Sequence, residues 1–191
     1  MSRLSRDDWA RAALAALARG GLAAVAVEPI AAGLGTTKGS FYWHFRSRDE
    51  LIAAALALWR QAGTTSVIED LEAGAAPAEQ RLRQLFTRVF AQDAGTGADL
   101  ALLADAGHPL VAPVLAEVTE QRLRYVTALF RQLGFAPARA RRRALFAYSA
   151  FLGQLQLLRG APGVLPRTGP ARAAYADDVL AALLAGRSSG D

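Results

Sequence analysis

Apolar residues recur along this chain at intervals of three and four, which is the spacing of one face of an α-helix. Alternation of apolar and polar residues with a period of two, the pattern of a half-buried β-strand, is almost absent. Glycine and proline are concentrated between the periodic segments, where they separate one helix from the next. The pattern therefore predicts an all-α fold.

The first third of the chain is predicted to form four helices, at residues 6–19, 27–34, 37–45 and 47–72. Ser5, with Asp8 three residues later, is suited to cap the first helix. Ser47 and Glu50 form the same capping-box signal for the fourth. Gly35 supplies the turn between the second helix and the third, since glycine tolerates left-handed backbone angles.

The rest of the chain is predicted to form a larger helical domain. Its helices are expected at about residues 78–92, 98–105, 111–133, 138–159 and 169–186. Gly134 followed by Pro137 marks one helix stop and restart, because glycine favours the end of a helix and proline the beginning of the next. We expect an N-terminal helix-turn-helix domain at residues 1–46, a helical domain at 47–186, and a disordered tail at 187–191.

Composition narrows the class of protein. The 191 residues are 52% apolar, enough for a core without disulfide cross-links, and none is cysteine. Charged residues or glycine break the alanine- and leucine-rich runs before they reach about 18 residues, so we expect no membrane span. The N-terminus lacks the apolar core of a signal peptide, so a cytoplasmic protein is expected. The net charge of +5 is compatible with a polyanionic partner.

The segment Ile30–Phe45 carries the clearest functional signal. Its sequence, IAAGLGTTKGSFYWHF, reads as two short helices joined by a tight turn, the arrangement that places a second helix in the major groove of DNA. Phe41 and Phe45 are four residues apart and share a face suited to the core, whereas Lys38 and Tyr42 share another. Gly39 costs about 1 kcal/mol of helix stability relative to alanine, but it lets the backbone approach another surface closely.

These residues resemble a known family. The succession of Ile-Ala, a turn glycine, Thr-Lys-Gly-Ser-Phe-Tyr-x-His-Phe and then Ser-Arg-x-Glu-Leu is similar to the DNA-binding domain of TetR-family transcriptional regulators. The resemblance covers about residues 5–58. It implies a homodimer whose N-terminal domains bind a palindromic double-stranded DNA operator. It also implies that the C-terminal domain dimerises and binds a small-molecule effector, whose binding releases the repressor from DNA.

The resemblance further implies a role for each residue of the motif. Thr37, Lys38 and Ser40 are expected at phosphates or base edges. Tyr42 and His44 are expected to donate to phosphates, and Trp43 to pack on a sugar or a thymine methyl group. Arg48 is expected to bind a phosphate beside the amides that begin the fourth helix. The complete predicted set of DNA contacts is Arg3, Arg6, Thr36, Thr37, Lys38, Gly39, Ser40, Tyr42, Trp43, His44 and Arg48.

Basic residues outside the motif, and one departure from the family pattern, add further expectations. Arg3 and Arg6 would form an arm along the DNA backbone or in the minor groove, with a solvated terminus as the alternative. Ala26 stands where the family usually has the Thr or Ser that caps the second helix, so we expect this cap to be missing. The basic run Arg139–Arg143 is interpreted as the solvated start of a helix rather than a second nucleic-acid patch.

The second domain is expected to hold the effector in an apolar cavity between helices, although aromatic residues at helical spacing also form ordinary core. The candidate pocket residues are Trp59, Phe86, Phe90, His108, Phe130, Tyr148, Phe151 and Gln154.

A two-fold dimer would present two recognition helices to half-sites one helical turn apart or a multiple of it. Apolar stripes on the last two helices are candidates for its interface: Leu145, Leu152 and Leu155 on one, and Tyr175, Val179 and Leu183 on the other.

Two alternatives remain at this stage. An enzyme is disfavoured because there are only two histidines and no cysteine, and because the glycines at Gly33–Gly39 follow a helix and lack the spacing of a phosphate loop. We therefore predict no catalytic residue, no metal and no cofactor.

An architectural DNA-binding protein without an effector is the other alternative. Such a protein would bind random DNA almost as well as any site, whereas a specific regulator should prefer one palindrome by about a thousandfold or more.

Overall fold

The computed structural model describes residues 4–91, 96–166 and 168–185. Within these ranges the secondary structure is helical and no β-strand is present, which confirms the predicted all-α class. The predicted DNA contact Arg3 and the predicted tail at 187–191 lie outside the described residues.

The helices begin and end close to their predicted positions. In chain order they are α1 (Arg6–Gly20), α2 (Val27–Gly33), α3 (Lys38–Phe41), α4 (Arg48–Arg60), α5 (Ser66–Ala73), α6 (Ala78–Ala91), α7 (Thr96–Ala104), α8 (Ala112–Gln132), α9 (Pro137–Gly160) and α10 (Gly169–Leu184). Short 3₁₀ turns lie at Leu22–Ala24 and Pro162–Val164. A π-helical turn at Gln61–Thr65 joins α4 to α5, so the predicted helix at 47–72 forms with one irregular turn inside it.

Side-chain caps begin α1 and α4. The Ser5 hydroxyl accepts from the Asp8 amide at 3.2 Å, and the Asp8 carboxylate accepts from the Ser5 amide at 2.8 Å, which completes the predicted capping box. The Ser47 hydroxyl likewise accepts from the Glu50 amide at 3.2 Å. The Glu50 carboxylate, however, accepts at 2.8 Å from the amide of Arg46, one residue before the cap. Of the capping box predicted for α4, only the bond to the Ser47 hydroxyl is therefore formed.

The described residues divide into two compact units. The first comprises residues 4–65 and 96–118, and the second residues 66–91, 119–166 and 168–185. The first unit is larger than the segment 1–46 predicted for DNA binding, because α4 and α7 supply apolar side chains that pack against α1. The functional division after residue 46 stays a prediction.

The core of the first unit gathers around α1. Trp9, Ala13 and Leu17 are fully buried on the common face that their four-residue spacing predicts. α7 approaches α1 so closely that a Cβ added to Gly97 would lie 3.0 Å from the Ala18 carbonyl oxygen. A side chain at this position would therefore press on the backbone of α1.

The stretch Arg48–Ala73 is long and apolar enough to cross a membrane by length and composition alone. Core helices of globular proteins meet the same criterion. Leu51, Ile52 and Leu56 of this stretch are buried in the core of the first unit, where they pack with α1. Their burial accounts for the apolar character of α4.

The core of the second unit forms between α6, α9, α10 and the second half of α8. Phe86 and Phe90 stack with their ring centroids 5.2 Å apart, and Leu82, Phe130 and Leu180 are buried beside them. Interdigitated aromatic and leucine side chains of this kind form a well-packed helical core.

The basic run at the start of α9 is used within the second unit. Arg143 donates to the carbonyl oxygens of Ala182 and Ala185 at 3.0 and 2.7 Å, at the C-terminal end of α10. Cations are favoured there because the last carbonyls of a helix lack intrahelical donors. Arg141 forms an exposed ion pair with Glu120 at 3.0 Å. The run is thus partly solvated, as expected, and partly a cap for a neighbouring helix, which the sequence pattern did not indicate.

Candidate nucleic-acid interface

The turn between α2 and α3 determines how the next residues are presented. Gly35 has φ of +66°, in the left-handed region that glycine adopts without strain, as its predicted turn role requires. The amides of Gly35 and Thr36 donate to the carbonyls of Ala32 and Ala31, each at 3.0 Å. These bonds close the end of α2 and direct the chain into α3.

α3 is shorter than the predicted helix at 37–45. Regular helical bonding ends at Phe41, and a turn follows in which the His44 amide donates to the Phe41 carbonyl at 2.9 Å. Thr37 has the extended backbone of an N-cap residue, but its side chain makes no capping hydrogen bond to the described amides of α3. No side-chain cap therefore begins this helix among the described residues. The helix ends early because the chain must turn to reach the start of α4 at Arg48.

Two phenylalanines anchor this segment to the core, as predicted. Phe41 and Phe45 are each 1% exposed, with ring centroids 5.7 Å apart, and Phe41 meets the ring of Trp9 edge-on at 5.5 Å. The guanidinium of Arg6 lies 4.3 Å above the Phe45 ring. Paired aromatic rings with a cation on one face hold the backbone in place without using the outward side chains.

The residues between the two anchors point outward. Tyr42 is 61% exposed and Trp43 is 83% exposed, which is unusual for side chains of this size. The recognition segment, defined here as residues 36–44, also exposes Thr37, Lys38 and Gly39, while Thr36, Ser40 and His44 are half-buried. Hydrogen-bond donors, a cation and two aromatic rings therefore share one exposed strip of the first unit.

Gly39 is not required by the packing of the protein itself. Among the described residues, a Cβ added there would meet only the Thr37 hydroxyl oxygen, at an ordinary contact distance of 3.5 Å. The low helix propensity of glycine is thus not offset by any internal close approach. This is consistent with a backbone position kept bare for an external surface.

Lys38 is paired in a way that its sequence position did not indicate. Its Nζ lies 2.9 Å from Oε1 of Glu28, in the first turn of α2, and both side chains are exposed. The hydrogen bond and charge of Glu28 raise the pKa of Lys38 above its usual value, and Lys38 lowers the pKa of Glu28. The spacing of ten residues across a turn carries no helical signal, which is why sequence reasoning missed Glu28.

Two of the predicted DNA contacts, Arg6 and Arg48, also bind partners within the first unit. Arg6 donates at 2.8 Å to the His44 carbonyl and pairs at 2.9 Å with Glu50. The Arg48 guanidinium donates at 2.6 Å to the Val25 carbonyl and also to the Leu22 carbonyl. Both arginines therefore position the recognition segment and the start of α4. Their contacts with DNA stay a prediction. Sequence reasoning missed the carbonyl partners because these are identifiable only in the folded unit.

Known proteins share this arrangement. Residues 10–55, which include most of α1, all of α2 and α3 and the first eight residues of α4, match the family described as bacterial regulatory proteins of the tetR family. This segment of the chain therefore belongs to the tetR family of bacterial regulatory proteins. This family is non-enzymatic, in agreement with the prediction that the chain is not an enzyme.

Solved structures show that the regulator shares its fold over nearly its whole length. A transcriptional regulator from Rhodococcus sp. Rha1 is 21% identical, with a TM-score of 0.78 over 96% of this chain and 97% of that one. A TetR-family regulator from Agrobacterium tumefaciens is 17% identical, with a TM-score of 0.74 over 93% and 96%. A transcriptional regulator from Saccharomonospora viridis, solved in complex with choline, is 17% identical, with a TM-score of 0.75 over 92% and 95%. No curated protein matches the regulator.

The predicted effector residues of the regulator do not all lie in one unit. Trp59 and His108 belong to the first unit, where Trp59 is buried in the core and His108 Nδ1 accepts from the Leu110 amide at 3.2 Å. The remaining six belong to the second: Phe86, Phe90 and Phe130 are core residues, Tyr148 and Phe151 are partly buried, and Gln154 is buried. His108 thus has a local role before α8, which its isolation in the sequence did not reveal.

Buried polar groups in the second unit are better candidates for contacts with a ligand. Gln154 donates through Nε2 to the Phe90 carbonyl at 3.1 Å, and its Oε1 accepts no hydrogen bond from any described residue. Thr119 and Tyr148 share a hydrogen bond of 3.1 Å. Burial, with the Glu72 carboxylate nearby, raises the pKa of Tyr125 to about 12, so this phenol stays neutral at physiological pH. Sequence reasoning missed Tyr125 because nothing in its helical spacing separates it from core residues.

Within residues 4–91, 96–166 and 168–185, no three His, Asp or Glu side chains are grouped to hold a metal ion.

The predicted apolar stripes are divided between core and surface. Leu155 and Leu183 are each 1% exposed and belong to the core of their own unit. On α9, by contrast, Leu145 is 54% exposed and Phe146 is 58% exposed, and Leu157 is also exposed. Leu157 lies 11 residues after Phe146, about three helical turns further along the same face, whereas Leu145 lies about 100° around the helix from Phe146. Only part of the predicted stripe is therefore free to meet a partner, and Phe146 was not among the predicted residues.

Proposed function

We propose that this regulator is a cytoplasmic repressor that binds a palindromic operator as a homodimer and is released by a small-molecule effector. The proposal rests on the exposure of two aromatic side chains. Tyr42 and Trp43 are largely exposed beside Lys38, while the phenylalanines on either side of them are buried. Large aromatic side chains held outward on a rigid helix-turn-helix are costly to leave in water and are suited to the groove and backbone of DNA.

The chemistry of the recognition segment supports contacts to both phosphates and bases. The hydroxyls of Thr37, Ser40 and Tyr42 and the Lys38 ammonium are donors of the kind that bind phosphate oxygens. Trp43 offers an apolar face for a sugar or a thymine methyl group. The bare backbone at Gly39 allows the segment to approach the DNA closely.

The exposed apolar residues of α9 support a dimer. Phe146 and Leu157 share an exposed apolar face on a helix of 24 residues, and the exposed Leu145 widens it on one side. An apolar helix face of this length is suited to pack against its own copy around a two-fold axis, which would pair the two recognition segments with two half-sites. The expected test is sedimentation analysis of Phe146→Glu, which should yield monomers, with the exposed Gln84→Glu of α6 as a control that stays dimeric. A Phe146→Glu protein that remains dimeric would contradict this interface.

The second unit is the proposed effector site. It encloses an aromatic core with buried polar groups at Gln154, Tyr148 and Tyr125. Apolar surroundings with a few convergent polar atoms are the usual form of a small-molecule site. The regulator from Saccharomonospora viridis, which shares this fold, was solved in complex with choline, so a protein of this fold takes a small ligand. Effector binding would act by favouring a state in which the recognition segments no longer match the half-site spacing.

The experiment that tests operator binding is selection of duplexes from a random DNA pool by the full-length regulator. We expect one palindrome, preferred over random DNA by about a thousandfold or more. Affinity should fall by about three to five decades between 50 and 200 mM salt if six to ten phosphates are contacted per dimer. Equal affinity for all duplexes would refute the proposal and favour an architectural DNA-binding protein.

A second measurement tests release. The selected complex is challenged with a metabolite library, and compounds are scored by loss of the bound duplex. The control is the same compound added to a complex between the same duplex and an unrelated DNA-binding protein, which excludes direct effects on DNA. An effector that binds the regulator without changing its operator affinity would contradict effector control.

A further inference from the structure

The ion pair between Glu28 and Lys38 joins the two helices of the helix-turn-helix. Glu28 lies in the first turn of α2, and Lys38 is the first residue of α3. Their charged atoms are 2.9 Å apart, and the Glu28 side chain is 72% exposed. An acceptor and a donor are thus held side by side at the edge of the recognition segment. Sequence reasoning assigned a role only to Lys38.

This arrangement is poorly explained as a source of stability. Exposed pairs of long side chains contribute little, because water screens the charges and fixing two flexible chains costs entropy. A carboxylate next to the recognition segment also opposes DNA binding in general, since it faces the same phosphates that attract Lys38. Its presence is more readily explained if the carboxylate meets a hydrogen-bond donor on the DNA.

The major groove offers such a donor beside an acceptor. A G·C base pair presents O6 and N7 of guanine as acceptors and the N4 amino group of cytosine as a donor. Lysine binds guanine O6 and N7, and glutamate accepts from cytosine N4. An A·T pair suits the two residues less well, because the adenine N6 donor stands next to N7 and repels an ammonium, and the thymine acceptor stands next to a methyl group.

We propose that Glu28 and Lys38 act together to read one G·C base pair in each operator half-site. The proposal rests on the operator binding proposed above. Lys38 donates to guanine and Glu28 accepts from cytosine, so the carboxylate gains a partner at the correct base pair. At an A·T pair the adenine N6 donor stands beside N7, so the carboxylate and the ammonium are not both satisfied. Glu28 is therefore a specificity-determining residue, whose loss changes the choice of sequence more than the strength of binding.

The test measures the Kd of the full-length regulator for the selected operator and for duplexes with one base pair replaced at each half-site position. We expect the wild type to discriminate by about five- to a hundredfold at one G·C position, the usual range for one well-formed base contact. Glu28→Gln should lose most of that discrimination at the same position and keep it elsewhere. Because the two residues act as a unit, adding Glu28→Gln to Lys38→Ala should change the discrimination little further.

The matched control is Glu117→Gln. Glu117 is also exposed and paired, with Arg60 at 2.8 Å, and its removal changes the net charge by the same amount. Arg60 ends α4, about 18 Å along the helix axis from Arg48 at its beginning, so this pair is remote from the recognition segment. Glu117→Gln should leave the discrimination at every position unchanged.

The outcomes separate the two proposals. A wild type that selects no sequence would overturn operator binding itself. A wild type that selects a palindrome, together with a Glu28→Gln profile that matches that of Glu117→Gln, would overturn only the reading of a G·C pair. Uniform strengthening of binding to all duplexes by Glu28→Gln would also overturn it, because a general charge effect would then account for the residue.

Discussion

The recognition segment places a buried aromatic residue and an exposed one two positions apart, and this allows a paired test of its orientation. Phe41 is 1% exposed and packs on Trp9 and Phe45, whereas Trp43 is 83% exposed. Truncation of each to alanine removes a large ring from the same short segment. The two variants should therefore differ in what they lose: stability for the first, and DNA affinity for the second.

The expected change in stability of each variant follows from how deeply the replaced side chain is buried. Phe41→Ala leaves a void among three aromatic rings and should cost about 3 to 5 kcal/mol of unfolding free energy. For a chain of this length that corresponds to a Tm lower by about 6 to 20 °C. Trp43→Ala removes few internal contacts, so its effect should stay within about 0.5 kcal/mol, or a Tm change below about 2 °C. Operator affinity of the Trp43 variant should nevertheless fall by about fivefold or more.

The assay is thermal unfolding by circular dichroism at one protein concentration, because self-association makes the Tm depend on concentration. Operator titrations are made well below the Tm of each variant, so that only folded protein is compared. A Trp43→Ala protein as unstable as Phe41→Ala would refute the outward orientation of this side chain. A Trp43→Ala protein that is stable and binds the operator like the wild type would refute its contact with DNA.

Three further predictions concern caps and close approach. Ala26→Thr should cap α2 and raise stability by about 1 kcal/mol, or the Tm by about 2 to 4 °C, and an unchanged Tm would contradict it. Gly39→Ala should leave the Tm equal or higher, because the added Cβ meets only Thr37, yet weaken operator binding by blocking backbone approach. Hydrogen bonds from Ser5 lower the pKa of Asp8 from 3.8 to about 2, so its stabilising effect is present above about pH 4 and is lost as the pH falls towards 2. Asp8→Asn should thus lower the Tm at pH 7 and have little effect at pH 2; an equal loss at both would exclude the capping box as the cause.

The sequence by itself determined the features that depend on near neighbours along the chain. Most helix bounds (α3 being the exception), the Ser5 capping box, the left-handed turn at Gly35 and the shared face of Phe41 and Phe45 follow from residues within a few positions of one another. The same local order, from the turn glycine to Tyr-x-His-Phe, was sufficient to indicate the TetR family.

Only the tertiary structure decided the roles that depend on distant partners. Arg6 and Arg48 have the basic character of DNA contacts, but the fold brings carbonyls and a carboxylate to their guanidiniums. Glu28 becomes relevant because the turn brings it to Lys38. Helical periodicity states which residues share a face, but it cannot state whether that face meets the core, a partner or solvent. For that reason Leu155 and Leu145, ten residues apart on α9, are buried and exposed respectively.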